Sequence, residues 1–168
     1  MPTLKELSIA IGLLTSDQNP VAEMDGWTNY VWRVRSSVEC LTVDNGYCTI
    51  VRDSWDWKRP QFYEYAFKRD EATNTIVSRI ALRNEDASDD DQVCVVASFL
   101  NAAGAELGLV FVNWRSLHGR SYTRDAPIKI AGSVKDIATI AVGTKQCQLK
   151  ELADTQNFYR KRLELKQR

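Results

Sequence analysis

The spacing of apolar positions changes twice along the chain. Leu4, Leu7, Ile11 and Leu14 recur at helical intervals, and Thr3 followed by Glu6 forms a capping-box start. A short helix is therefore expected over residues 3–14, followed by a loop rich in Ser, Asp, Asn, Pro and Gly over 15–26. From Trp27 the period becomes two. Tyr30, Trp32, Val34, Val38 and Cys40 alternate with Arg33, Arg35, Ser37 and Glu39, as in a half-buried strand. Asp44-Asn45-Gly46 predicts a hairpin turn, because Asn-Gly tolerates positive φ, and Cys48 to Arg52 would return as the partner strand. Further strands are expected over 61–68, 75–84, 92–101, 106–115, 126–131 and 136–142, with turn-like stretches at 70–74, 85–91, 102–104 and 117–125. No helical period interrupts them, which argues against a parallel α/β sheet and for an antiparallel sandwich or barrel. After Gln148 the helical period returns in Leu149, Leu152, Ala153, Gln156, Tyr159 and Leu163, predicting an amphipathic helix over 149–166.

Composition narrows the classes. The chain has 168 residues and is 44% apolar, enough for one core and one domain. Its 22 basic and 22 acidic side chains cancel, which speaks against a nucleic-acid partner. The last twenty residues hold six basic and three acidic groups, so a basic terminal helix offsets an acidic body. No apolar run approaches the roughly 18 residues that a membrane-crossing helix needs. Residues 7–14 lack the basic flank and cleavage pattern of a signal peptide. The four cysteines stand too far apart for zinc, and no metal or cofactor is expected. A two-residue Asn45-Gly46 turn pairs Val43 with Cys48 and Cys40 with Val51. That sends Cys40 and Cys48 to opposite faces, and a three-residue loop puts them on one face but not directly opposite, so no bridge between them is expected. Cys94 and Cys147 could meet in a sandwich, where a bridge would contribute roughly 3–4 kcal/mol; two buried free thiols are the simpler reading.

One stretch carries a family resemblance. Ile80-Ala81-Leu82-Arg83-Asn84 is followed by a polar loop, then Val93, Val95 and Phe99. Phe99-Leu100-Asn101-Ala102-Ala103-Gly104 leads into Leu107-Gly108, and later come Leu117, Gly119 and Tyr122. Over about residues 78–142 this resembles the FxLYD-type, immunoglobulin-like β-sandwich modules of bacterial exported proteins. Asn101 stands where that pattern has an acid, and Leu117-His118-Gly119 lacks its proline. The resemblance implies immunoglobulin-like topology, and with the strand reading above the expectation is an all-β, antiparallel immunoglobulin-like sandwich of about eight strands over 27–143. It also implies a periplasmic or extracellular location, the cytoplasm staying open, and an accessory or binding role without catalytic residues.

The candidate chemistry is sparse. Trp55, Trp57, Arg59, Tyr63 and Tyr65 lie in one aromatic-rich segment. Exposed, they would suit packing against a protein partner or stacking on a sugar; unexposed, they are core. Glu85, Asp86, Asp89, Asp90 and Asp91 crowd one loop, but their spacing is not that of an EF-hand, and a solvated loop is expected. His118 is the single histidine and has no G-x-S-x-G elbow to serve. The sequence reading is a non-enzymatic binding or accessory module of the bacterial cell envelope that recognises a protein. A carbohydrate-binding module is the runner-up. A small hydrolase with an unidentified site is the third reading.

Overall fold

The computed structural model describes residues 30–147. The two expected terminal helices, 3–14 and 149–166, lie outside them. The described residues form two antiparallel sheets. One has the order β1-β9-β6-β7, the other β2-β3-β4-β5-β8. The strands are β1 (Val31–Ser36), β2 (Thr42–Asp44), β3 (Tyr47–Asp56), β4 (Gln61–Asp70), β5 (Thr75–Asn84), β6 (Asp91–Leu100), β7 (Glu106–Ser116), β8 (Arg120–Lys129) and β9 (Thr139–Gln146). The 3-10 turn Val134–Asp136 is capped by the Ser133 side chain, which accepts from the Lys135 amide.

The inner faces of both sheets feed one core. Val51, Tyr65, Phe67, Ile80 and Leu82 come from one sheet; Val93, Val95, Phe99, Ile140 and Val142 come from the other. This sandwich-like pairing follows from period-two alternation on each strand. β5 shows it most cleanly, with Ile76, Ser78, Ile80, Leu82 and Asn84 buried and the residues between them less so. Two contacts join the sheet edges. Arg33 Nε donates to Asp53 Oδ2 at 2.5 Å between β1 and β3. The Arg124 guanidinium lies 4.4 Å from the Trp114 ring centre, between β8 and β7.

Several expectations need correction. β1 ends at Ser36, so Val38 and Cys40 lie beyond it in a turn and loop. Residues 120–125, expected as turn, belong to β8, which runs its full length beside β5. It reads as polar because it is an edge strand with charged outward residues, and Pro127 is tolerated there. β9 begins and ends later than expected, at Thr139 and Gln146. The hairpin is as expected: Asn45 and Gly46 take φ of 51° and 82°, and Val43 pairs with Cys48. Gly104, at φ 83°, closes the tight turn between β6 and β7, where Asn101 Oδ1 accepts from the Ala103 and Ala105 amides.

The largest correction concerns the cysteines. Cys40 and Cys48 are bridged, against the hairpin argument. That argument extended the ladder to Cys40, but β2 is three residues long and the chain bends at Leu41. Cys40 is thereby freed from strand alternation and reaches Cys48 at a Cα separation of 5.2 Å. Cys94 and Cys147 are bridged as well, so the free-thiol reading fails. β6 and β9 are neighbours, Cys94 opposes Lys145, and the Cys147 amide donates to Gln92 O at 2.8 Å. None of the cysteines is free. Two disulfides are the mark of a non-cytoplasmic, oxidising location. Among the described residues no helix is long and apolar enough to cross a membrane.

Candidate binding surface

Three turns gather at one end of the sheets: β3–β4, β5–β6 and β7–β8. Arg59 ties the first two together. Its Nη1 lies 3.2 Å from Asp86 Oδ2, and its Nε lies 3.5 Å from Asp89 and 3.9 Å from Asp56. The Pro60 carbonyl accepts from the Glu85 amide at 2.9 Å. Asp90 ties in the third turn, accepting from the His118 amide at 2.8 Å and lying 2.6 Å from the ring Nδ1. The hydrogen bond to Asp86, with Asp89 beside it, holds the Arg59 guanidinium above its ordinary pKa. Asp86 is held below the usual carboxylate range by the Ser88 amide, then by Arg59. Asp90 is lowered by the His118 amide and ring.

On this braced end the β3–β4 turn presents Trp57, which is 82% exposed, with the Lys58 ammonium 5.3 Å from its ring centre. The turn itself is shaped by Asp56, whose carboxylate accepts from the Lys58 amide and whose carbonyl accepts from the Arg59 amide. Leu117, at the tip of the β7–β8 turn, is also exposed.

The five residues singled out from sequence therefore separate. Trp57 and Arg59 sit at the surface. Trp55 is 8% exposed and points inward, its indole N–H donating to Asp91 Oδ2 at 2.9 Å. Tyr63 and Tyr65 are core residues and leave the candidate set. Burial pushes the Tyr63 phenol up to about 12 and raises Tyr65 further, while the Tyr65 hydroxyl shares a 2.7 Å hydrogen bond with Ser78. The physical reason is alternation: Trp55, Tyr63 and Tyr65 fall on the inner faces of β3 and β4, whereas Trp57 lies just past the strand end.

The acidic loop spends its carboxylates internally, on Arg59, Arg115, His118, Trp55 and Gln146. Among the described residues no group of three or more His, Cys, Asp or Glu is placed to hold a metal ion. His118 is exposed and partnered by Asp90, and with every cysteine bridged it has no thiol to activate.

The sequence reading counted Asp91 with the solvated acidic loop, but it opens β6 and is part-buried. Its Oδ2 receives both Trp55 and the Gln146 amide, at 2.9 and 2.8 Å, joining β3 of one sheet to β9 of the other. Burial raises its pKa, and nearby Asp89 adds to the rise. The sequence reading did not single out Phe62, which lies under the Arg83 guanidinium, 4.7 Å from the ring centre, on the outer face of the five-stranded sheet. A shallow hollow of roughly 210 Å³ opens there between Phe62, Glu64, Ala81 and Thr123. Nothing in a strand pattern distinguishes such positions from ordinary outward residues.

No family model and no curated protein matches the chain. Among solved structures, the Salmonella enterica trimeric lipoprotein SadB is similar over 84% of this chain and 81% of its own, at 14% identity and TM-score 0.42. The carbohydrate-binding module TmCBM61, in complex with beta-1,4-galactotriose, is similar over 73% of this chain and 81% of its own, at 13% identity and TM-score 0.25. The enzymatically active domain of bacteriophage CBA120 tailspike protein 4 is similar over 75% of this chain and 18% of its own, at 5% identity and TM-score 0.26.

Proposed function

We propose that the chain is a non-enzymatic binding or accessory module of the bacterial cell envelope, recognising a protein partner through the Trp57 end. The observation that carries this reading is a fully presented tryptophan on a turn held by a guanidinium and three carboxylates. Tryptophan and arginine dominate binding hot spots, and a pre-ordered turn loses little further entropy on docking. Two disulfides suit a periplasmic or extracellular setting. The resemblance of residues 78–142 to FxLYD-type, immunoglobulin-like modules supports the same role. The sugar reading loses ground because Trp55 is turned inward, so Trp55 and Trp57 form no shared platform.

The test uses the immobilised full chain, wild type and Trp57→Ala, exposed to solubilised envelope proteins and, separately, to a glycan array. The expected result is a retained protein whose affinity falls about tenfold or more in Trp57→Ala, with an unchanged thermal midpoint. Retention of glycans with no protein bound would replace this reading with the carbohydrate one.

A further inference from the structure

Beneath the three turns of the Trp57 end, the sandwich is closed by a layer of polar side chains. Alternation turns Gln61 and Asn84 inward from β4 and β5, where they form a cross-strand pair. Asp91 and Ser116 form the corresponding pair of β6 and β7, in step with the inward Val93 and Trp114. Gln61 and Ser116 are 0% exposed. The layer is connected. Gln61 Nε2 donates to Asp89 Oδ2 at 3.1 Å and to Asn84 Oδ1 at 3.3 Å. Asn84 Nδ2 donates to the Asp89 carbonyl at 2.8 Å and to the Ser116 carbonyl at 3.2 Å. Yet Gln61 Oε1 and Ser116 Oγ are buried there without a hydrogen-bond partner. Both are directed at the same place. Oε1 shares its amide group with the Nε2 that touches Asp89, and Ser116 stands opposite Asp91 on the ladder. The Asp89 and Asp91 carboxylates are themselves within hydrogen-bonding reach of each other.

We propose that this layer holds a calcium ion between Asp89 and Asp91, with Gln61 Oε1 and Ser116 Oγ among its ligands. Donor chemistry is the first argument. An amide carbonyl and two ionised carboxylates can only accept, so their convergence calls for a bound donor or a cation. Charge is the second. Asp56, Asp86 and Asp89 share the one guanidinium of Arg59, and the partners of Asp91, the Trp55 indole and the Gln146 amide, are both neutral. Carboxylates therefore outnumber cations in this group, and a neutral water would leave the surplus in place. Selectivity is the third. The set is all oxygen, which disfavours zinc, with its preference for nitrogen and sulfur. Calcium takes six to eight oxygens from carboxylates, side-chain amides and water in flexible geometry, whereas magnesium demands a near-ideal octahedron and keeps several waters. With two carboxylates as ligands, the affinity belongs at the weak end of the calcium range, about 10⁻⁴–10⁻³ M. The ion would tie the β5–β6 turn to both sheets directly beneath the braced end.

The experiment uses the full oxidised chain after treatment with a chelator. Terbium is the probe. Trp55 donates to Asp91 at 2.9 Å, so terbium bound there lies beside an indole that can sensitise its luminescence. The expected result is indole-excited terbium emission that calcium displaces and equimolar magnesium does not. Calcium in hundredfold excess over its Kd should also raise the thermal midpoint by about 5 °C or more. Asp89→Asn and Asp91→Asn should each weaken calcium binding tenfold or more, while Glu85→Gln, which removes an exposed acid of the same loop, should leave it unchanged. Absence of sensitised emission, displacement by magnesium as readily as by calcium, or equal losses in Glu85→Gln and the two Asp variants would overturn the proposal. The wild-type titration decides the first two outcomes even where a variant fails to fold. The readout needs no partner protein, so it stands or falls separately from the proposed function.

Discussion

Asp91 is one carboxylate serving both sheets, and its chemistry can be read by substitution. Burial raises its pKa above the value of an unfolded aspartate. Between the two values the folded chain holds more protons than the unfolded one, so this group makes stability fall as pH rises through that window. Asp86, Asp90 and Asp125 have lowered pKa values and act oppositely. Their stabilisation is present above the ordinary carboxylate range and is lost as pH falls through their folded values. Asp91→Asn keeps an acceptor oxygen for Trp55 and Gln146 and removes the charge. Its thermal midpoint at neutral pH should equal or exceed that of the wild type, and the difference should vanish once acid protonates Asp91. Asp91→Ala leaves two donors without an acceptor and should cost about 1–3 kcal/mol in denaturant titration. Gly143→Ala drives a methyl into the Trp32 ring, which can yield only by leaving its seat; about 1–3 kcal/mol should be lost. None of these roles was visible in the sequence. Alternation marks a residue as inward or outward, but it does not say which polar group lies across from it on another sheet.

At the scale of the element, the β3–β4 turn separates presentation from contact. Arg59→Ala leaves Trp57 intact and removes the brace to Asp56, Asp86 and Asp89. Partner affinity should fall, while faster hydrogen exchange should be confined to the amides of residues 57–59 and 85–90. A result with normal affinity would show that the bracing is dispensable. Strand legibility differed for equally physical reasons. β5 was readable to the residue because both its neighbours are strands and its inner side chains are buried, giving full contrast. β8 was half missed because its outer edge is solvated. Residues 120–125 keep a single apolar inward side chain, Tyr122, while Arg124 uses an inward position to lie on Trp114. The Cys40–Cys48 bridge was misjudged through the same over-regular assumption. Alternation was carried past the end of a strand only three residues long.

For the whole molecule, the two disulfides should differ in what they contribute. Cys40–Cys48 spans 8 residues and Cys94–Cys147 spans 53. Chain-entropy arguments give about 2.5 kcal/mol for the short loop and about 4 kcal/mol for the long one. The Cys94→Ser/Cys147→Ser pair should therefore lower the unfolding free energy more than Cys40→Ser/Cys48→Ser, as measured by denaturant titration. The opposite order would mean that unfolded-chain entropy is not what these bridges control. The all-β class and the two-sheet arrangement were legible because turn residues punctuate short apolar runs and strands such as β5 alternate dry and less dry positions, although β6 and β9 are buried on both faces. The partition of strands between sheets was not, since β8 and β9 each cross back to a sheet begun earlier, and periodicity carries no information about return.

The pairing of β1 with β9 has a mechanical consequence. Val31 lies opposite Thr144, so the described chain begins and ends at the same end of one antiparallel pair. Tension applied through both flanks would load that pair as a zipper, breaking its hydrogen bonds in sequence rather than together. The Cys94–Cys147 bond would carry the pull on β9 covalently into β6, leaving β1 as the strand that peels. A pulling measurement on the oxidised chain should record low-force release of β1, with the remaining strands yielding later.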